Sequence, residues 1–188
     1  MRWKLIAKAK TGRAERRQRI IDAGKNLFFR NGLRGATMEA IAKEAGVAKP
    51  TLYGYFPDKE AVFQAVIVGV FDDLRAISTK ALEGDGTVKE RIARVLSAKF
   101  KAIYRILEGS PHADELYSAK GVHAAQQVDE LERWLEAQIA LVLDEGGHKE
   151  PHKFAQILIA CADGIASKAR HAEQIGPAIR LVVDKLLE

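Results

Sequence analysis

The segment GVAKPTLYGYFPDKEAVFQAV, residues 46–66, decides the fold. Gly46 ends an apolar pattern of helical period, and Pro50 suits the first turn of a new helix because an amide there has no intrahelical acceptor. Leu52 and Phe56 are four residues apart, so they face the same side of that helix. The pattern predicts a turn of about three residues and then a short helix with two apolar anchors.

The same helix carries hydroxyls, flat rings and an ammonium group on its other side. These side chains are Lys49, Thr51, Tyr53 and Tyr55. If the two apolar residues face the core, all four point wholly or partly outward. Groups of this kind read base edges and contact phosphates in a DNA groove. The helix is therefore a candidate for groove reading.

Two further helices are predicted in front of this one. The first runs from about residue 13 to residue 30 and ends at Asn31-Gly32, and the second begins at Thr37 as its N-cap. A helix, a second helix, a short turn and a third helix form the helix-turn-helix arrangement of DNA-binding proteins. Thr37 and Lys59 each lie beside a helix N-terminus, where an anion is favoured, so both are candidates for phosphate contacts.

The charges of the chain are unevenly distributed. Residues 1–60 contain 14 Lys and Arg against 6 Asp and Glu, whereas residues 61–188 contain 16 against 19. A basic first third indicates a polyanionic partner for that part of the chain. Nucleic acid is the leading interpretation, and an anionic membrane surface is the alternative from another class.

The remaining sequence also repeats at helical period, which predicts an all-α protein of about nine helices. Thr87 and Glu90 form a capping box, the strongest helix-start signal in the chain. The expected later helices cover about residues 58–78, 87–107, 112–119, 122–145, 151–171 and 176–187.

Several other classes of protein are disfavoured. The single cysteine, Cys161, cannot form an internal disulfide, and no segment reaches the roughly 20 apolar residues of a membrane span or the pattern of a signal peptide. Cytoplasm is therefore expected. Residues 112–115 and the pair His148 and His152 lack the arrangement of a metal site, and no catalytic or cofactor motif is present. No enzyme activity, metal or cofactor is predicted.

The stretch TMEAIAKEAGVAKPTLYGYFPDKEAVFQAV resembles the DNA-binding domain of the TetR family of transcriptional regulators, and LYGYFPDKEAVF is similar to its recognition-helix signature. The resemblance covers about residues 13–70. It implies a helix-turn-helix domain at 13–57, a linking helix at 58–78 and an effector-binding and dimerisation domain at 79–188. The basic residues before the first helix separately suggest a flexible arm at 1–12. The positions that match DNA-contacting positions of the family are Thr37, Lys49, Thr51, Tyr53, Tyr55 and Lys59. Ala48 departs from the family, which usually has a capping Ser or Thr there.

The resemblance also implies a small-molecule effector and a homodimer. The helices of the last domain could enclose an apolar or aromatic effector, with candidate lining residues Phe100, Ile103, Tyr104, Leu107, Tyr117, Leu131 and Trp134. Small and apolar residues near the end of the chain suggest a two-fold four-helix bundle, and packing within one subunit is the alternative. The candidate interface residues are Ala160, Cys161, Gly164, Ile179, Val183 and Leu186.

Together these features predict a repressor that binds double-stranded DNA at a palindromic operator and is released by its effector. Activation of transcription and a helical enzyme remain alternatives. The basic side chains near the N-terminus, such as Lys8 and Arg13, either follow the DNA backbone or form a solvated tail.

Overall fold

The computed structural model describes the backbone of residues 2–188 and the side chains of residues 12–119 and 122–188. Nine α-helices and no strands occur in this part of the chain, which confirms the all-α prediction. The helices are α1 Arg2–Gly35, α2 Met38–Glu44, α3 Lys49–Tyr53, α4 Lys59–Leu82, α5 Val88–Leu107, α6 Ala113–His123, α7 Ala125–Glu145, α8 Pro151–Lys168 and α9 Ala172–Leu186. None of the described helices is long and apolar enough to cross a membrane.

The chain forms two compact units. The head unit contains Met1–Val70 and Gly109–Ala125, and the body unit contains Phe71–Glu108 and Gln126–Glu188. Helix α4 contributes residues to both units. Helix α6 belongs to the head unit, whereas the family resemblance implied that residues 79–188 form one effector domain.

The core of the head unit brings α1, α2, α3 and α4 together. The ring of Phe28 on α1 meets that of Phe63 on α4 edge to face, with 5.2 Å between their centroids. Phe63 also meets the imidazole of His123 on α6 at 5.8 Å. The side chains of Ile20, Leu27 and Phe28 on α1 are buried, as are those of Ile41 and Leu52. This core fixes the position of the short helix α3.

The helix caps predicted at Thr37 and Thr87 are confirmed, and Asp58 caps the start of α4. The Thr37 Oγ1 accepts a hydrogen bond from the Ala40 amide at 3.2 Å, and the Asp58 carboxylate accepts one from Ala61 at 2.7 Å. At α5, Glu90 donates its amide to Thr87 Oγ1 at 3.3 Å, while its carboxylate accepts from the Thr87 amide at 2.8 Å. Each bond satisfies an amide that has no partner within its own helix.

Helix α1 differs from its predicted bounds at both ends. It begins at Arg2, not near Arg13, so no break separates it from the segment predicted as an arm. Contact between that segment and DNA stays a prediction, because the side chains of residues 1–11 lie outside the described part. At the other end, Gly32 has φ of 72° and ψ of 170°, which interrupts the helix where Asn31-Gly32 predicted a stop.

The body unit has its own core, in which α5 packs against α8 and α9. The side chains of Ile92, Leu96, Leu135, Leu143, Ile175 and Ile179 are among those buried there. Helix α9 begins at Ala172, four residues before the predicted start at Gly176, so Gly176-Pro177 lies within the helix. That prediction was wrong because burial of Ala172 and Ile175 holds the first turn, although no side chain caps it.

Candidate nucleic-acid interface

Helix α3 presents two different sides. Leu52 is fully buried and Phe56, just beyond the helix, is 4% exposed, whereas Tyr53 is 45% exposed. Thr51 is half-buried, and Lys49 is exposed. The apolar anchors therefore hold the helix to the head unit while its hydroxyl-bearing side stays accessible, which is the orientation that a groove-reading helix requires.

The start of α3 lacks a side-chain cap. Ala48 occupies the N-cap position and makes no capping hydrogen bond, and Pro50 occupies the first turn. Proline has no amide N–H, so one fewer backbone donor at the start of α3 needs a partner. The missing cap therefore costs α3 less stability than it would in a helix without this proline. The open N-terminus of α3 leaves backbone amides near Lys49 available to an external acceptor.

Lys49 is not a free cation in this structure. Its ammonium group forms an ion pair with the carboxylate of Glu39 on α2, and both side chains are more than half exposed. The hydrogen bond between them lowers the pKa of Glu39 and raises the pKa of Lys49 from their ordinary values. A phosphate approaching Lys49 would compete with this carboxylate.

Lys59 has an additional structural contact. Its ammonium group donates to the backbone carbonyls of Arg34 at 3.3 Å and Ala36 at 3.4 Å. It therefore connects the start of α4 to the segment after the kink of α1. Lysine has three donors, so one remains for a phosphate while two hold the backbone.

Two arginines of α1 lie against the end of the recognition segment, and the sequence pattern assigned neither to this place. The guanidinium carbon of Arg13 is 5.7 Å from the centroid of the Tyr55 ring, and that of Arg17 is 5.2 Å from the Phe56 ring. Within the described residues neither guanidinium pairs with a carboxylate. Such cation–π contacts position the arginines without neutralising their charge, so both remain available to phosphates.

Six of the seven residues predicted to line an effector site lie in the body unit. Phe100 and Leu131 are buried, and Tyr104 donates its hydroxyl to the Arg170 carbonyl at 2.6 Å. Trp134 is half-buried, and Arg75 stacks over its ring at 4.9 Å. Ile103 and Leu107 are also half-buried, whereas Tyr117 belongs to the head unit and is 39% exposed. A cavity of about 380 Å³ contains only Phe100 of this set, and most of its wall is charged.

The residues predicted for a dimer interface divide into two groups. Ala160 and Gly164 on α8 are exposed, Cys161 is half-buried, and Leu186 on α9 is 38% exposed. Ile179 and Val183, by contrast, are 1% and 0% exposed within a single subunit. The latter two therefore require correction: their side chains are already covered by α5 and α8 of their own chain, so they offer no surface to a second copy.

The family model that matches this chain falls within the head unit. The profile of the family described as bacterial regulatory proteins, tetR family, matches residues 20–66. The transcriptional repressor KstR of Mycolicibacterium smegmatis is 25% identical over 178 residues, covering 90% of this chain and 87% of the relative. The regulator UidR of Escherichia coli K12 is 33% identical over 86 residues, covering 46% of this chain and 44% of the relative.

Solved structures extend the similarity in fold beyond the head. A transcriptional regulator from Rhodococcus sp. Rha1 has a TM-score of 0.72 at 21% identity, covering 91% of this chain and 95% of that one. FadR from Bacillus halodurans has a TM-score of 0.68 at 19% identity, covering 89% and 94%. The match to the tetR family profile includes the helix-turn-helix described above. The match to KstR of Mycolicibacterium smegmatis covers 90% of the chain. Residues 20–66 thus form a helix-turn-helix domain of the TetR family, and the chain is a DNA-binding transcriptional regulator.

Proposed function

We propose that this chain is a cytoplasmic repressor that binds a palindromic operator as a homodimer and is released by a small apolar or aromatic effector. The orientation of α3 is the observation that carries the proposal. Tyr53 is accessible while Leu52 is buried, so the hydroxyl and ring of Tyr53 are available to base edges. Thr51 and Tyr53 read bases, whereas Lys49, Lys59, Tyr55 and the N-cap Thr37 contact phosphates.

Repression is supported by two relatives of this chain that are repressors. KstR of Mycolicibacterium smegmatis and KstR of Mycobacterium tuberculosis, at 25% and 24% identity, are both named transcriptional repressors. A repressor needs only to occupy its operator, whereas an activator also needs a surface for the transcription machinery. We therefore assign repression to this chain.

Dimer formation is supported by apolar surface on the last two helices. Ile157 on α8 is 39% exposed, and Ala160 and Gly164 follow on the same helix. On α9, Leu181 is 62% exposed and Leu186 is 38% exposed. Small residues permit close approach between helices, and exposed leucines gain from being covered. In this interface Leu181 takes the place of the buried residues predicted from the sequence.

The proposed effector acts by preferring one arrangement of the dimer. If it binds the arrangement that cannot place both α3 helices on DNA about 3 kcal/mol more tightly, it shifts the equilibrium between the two arrangements by more than about 100-fold. Helix α4 is the candidate transmitter because it contributes residues to both units. The half-buried aromatic residues Tyr104 and Trp134 favour an apolar or aromatic effector.

Selection from a library of random duplexes tests the proposal. The purified full chain should enrich sequences with two inverted half-sites, because a two-fold dimer presents two identical helices. Enrichment of single, unpaired sites would contradict the homodimer. Binding to anionic vesicles without enrichment of any duplex would favour the membrane-surface alternative.

A further inference from the structure

A second cavity lies in the body unit, between α5, α9 and the loop before α5. Its volume of about 690 Å³ is within the range of small-molecule sites. None of the seven residues predicted to line the apolar effector site contributes to it. The residues of α9 that line this groove are Gly176, Pro177 and Arg180, whereas the proposed dimer interface uses α8 and the exposed Leu181 and Leu186 of α9. This groove is therefore distinct from the predicted effector site.

Three cationic side chains, Arg94, Lys101 and Arg180, line this groove. Arg94 is held in place by three backbone carbonyls: Nε donates to Ala81 at 2.7 Å, and the two Nη atoms donate to Gly84 at 2.7 Å and Asp85 at 3.1 Å. A guanidinium has five N–H donors, so two remain for another acceptor. This cation is oriented before any ligand arrives.

Lys101 lacks a partner of its own within the described residues. Its side chain is half-buried, and it forms neither a hydrogen bond nor an ion pair with any of them. The ammonium group lies against Gly176, where an added Cβ would come within 2.8 Å of Nζ and 3.1 Å of Cε. Lysine is seldom buried without a partner, because loss of hydration disfavours its charge. An external anion would supply the missing partner.

The backbone of α9 is also unusual at this wall. Gly176 and Pro177 follow each other inside the helix and both line the groove. Both residue types are unfavourable in a helix interior, glycine for its flexibility and proline for its missing amide. Because Gly176 has no side chain, the Lys101 ammonium group can lie against the backbone of α9.

The two acidic residues of the groove offset this charge only in part. The Glu90 carboxylate is engaged in the capping box, where it accepts from the amide and the hydroxyl of Thr87 at 2.8 and 3.1 Å. Asp85 is exposed. Three cations against two carboxylates leave a net charge of +1, although residues 61–188 have a net charge of −3 from 16 basic and 19 acidic residues. Cations are thus concentrated in an acidic part of the chain.

We infer that this groove binds a small organic anion through a carboxylate or phosphate group. Lys101 and Arg94 supply charged donors, and the Ser97 hydroxyl at the same wall supplies a neutral one. Arg180 contributes longer-range attraction. The site is separate from the apolar effector residues and does not depend on DNA binding by the head.

Calorimetry on the full chain, at constant ionic strength set with chloride, tests the inference with inorganic phosphate and with citrate. At least one of these anions should bind. Tighter binding of phosphate would identify a phosphate group as the preferred ligand, and tighter binding of citrate would identify a carboxylate. Lys101→Gln should weaken that binding by about 10-fold or more, because a charge-assisted hydrogen bond is lost. Lys149→Gln is the matched control: Lys149 is an exposed lysine of the same unit outside the groove, and its loss should leave binding unchanged.

A second variant separates geometry from charge. Gly176→Ala keeps every charge but displaces the ammonium group, so it should also weaken anion binding. Melting curves of the unliganded variants establish whether each is folded. If Lys101→Gln does not fold, the anion affinity of Gly176→Ala tests the inference instead. The inference is overturned if neither anion binds at millimolar concentration or if Lys149→Gln weakens binding as much as Lys101→Gln. Since no DNA is present, such a failure leaves the proposed repressor function untouched.

Discussion

The ammonium group of Lys49 on the recognition helix is paired with the carboxylate of Glu39 on the preceding helix. The hydrogen bond lowers the pKa of Glu39, so its carboxylate stays ionised at and below neutral pH. A negative charge therefore lies beside a lysine that is proposed to contact phosphate. Operator binding must either break this pair or share the ammonium group between two anions.

Replacement of this carboxylate should strengthen DNA binding. Glu39→Gln removes the competing charge, and we expect operator affinity to rise by a factor of about two to five, a modest gain because exposed ion pairs are weak. The gain should persist from pH 8 to pH 6, because the lowered pKa keeps Glu39 ionised in the wild-type chain throughout that range. Fluorescence anisotropy with a labelled operator provides the measurement.

Glu145→Gln is the control for this change in net charge. Glu145 forms an ion pair with Arg91 in the body unit, whereas the recognition helix belongs to the head unit. Equal gains from the two variants would mean that overall charge, and not release of Lys49, causes the effect.

The two arginines stacked beside the recognition segment should contribute to the salt dependence of binding. Arg13→Ala and Arg17→Ala should each reduce the slope of log K against log salt concentration by about 0.9, the value for one phosphate contact. Arg75→Ala removes a similar stacked arginine from the body unit and should leave the slope unchanged. If all three slopes equal that of the wild type, the α1 arginines do not contact DNA.

Gly32 should not tolerate a side chain. Its φ of 72° disfavours any L-residue with a Cβ, and an added Cβ would contact the Glu115 carboxylate and lie 2.9 Å from Nδ1 of His112. Gly32→Ala should therefore lower the free energy of unfolding by about 1–3 kcal/mol.

Gly69→Ala provides the opposite expectation in the same experiment. Gly69 lies within α4 with no atom near its missing Cβ, so alanine should add about 0.5–1 kcal/mol through helix propensity. Urea denaturation followed by circular dichroism measures both changes. A stabilising Gly32→Ala would contradict the backbone conformation described here.

A charge placed on the proposed dimer face should separate the subunits. Leu181→Glu would bury an unpaired carboxylate in the interface, which should raise the dimer dissociation constant by about 100-fold or more. Leu141→Glu is matched in chemistry, since Leu141 on α7 is 57% exposed and lies outside the proposed face. Light scattering should report a monomer for the first variant and a dimer for the second; a dimer in both cases would place the interface elsewhere.

The sequence predicted the helix starts at which a side chain caps a backbone amide three residues away. Thr37 and the Thr87–Glu90 capping box are examples, because the interacting groups are close along the chain. The start of α9 was missed for the converse reason. Gly176-Pro177 has the composition of a helix beginning, yet His171 begins the helix without a side-chain cap, and only tertiary burial reveals it.

The composition of the candidate DNA-binding surface was predictable from the period of α3, since Leu52 and Phe56 fix which side is buried. Contacts between residues that are distant along the chain could not be predicted from this period. The pairing of Lys49 with Glu39 and the stacking of Arg13 on Tyr55 depend on how α1 and α2 pack against α3. For the same reason, helical period marked Ile179 and Val183 as apolar without showing that their own subunit covers them.

The central claim is that the exposed side of α3 reads the sequence of duplex DNA. Its most direct test is the affinity of the wild type and Tyr53→Ala for a selected operator and for a scrambled duplex of the same length. The account predicts a loss of about 10-fold or more on the operator, as expected for a lost base contact, and a change of less than about two-fold on the scrambled duplex. An equal loss on both duplexes, or no loss on the operator in a folded variant, would contradict it.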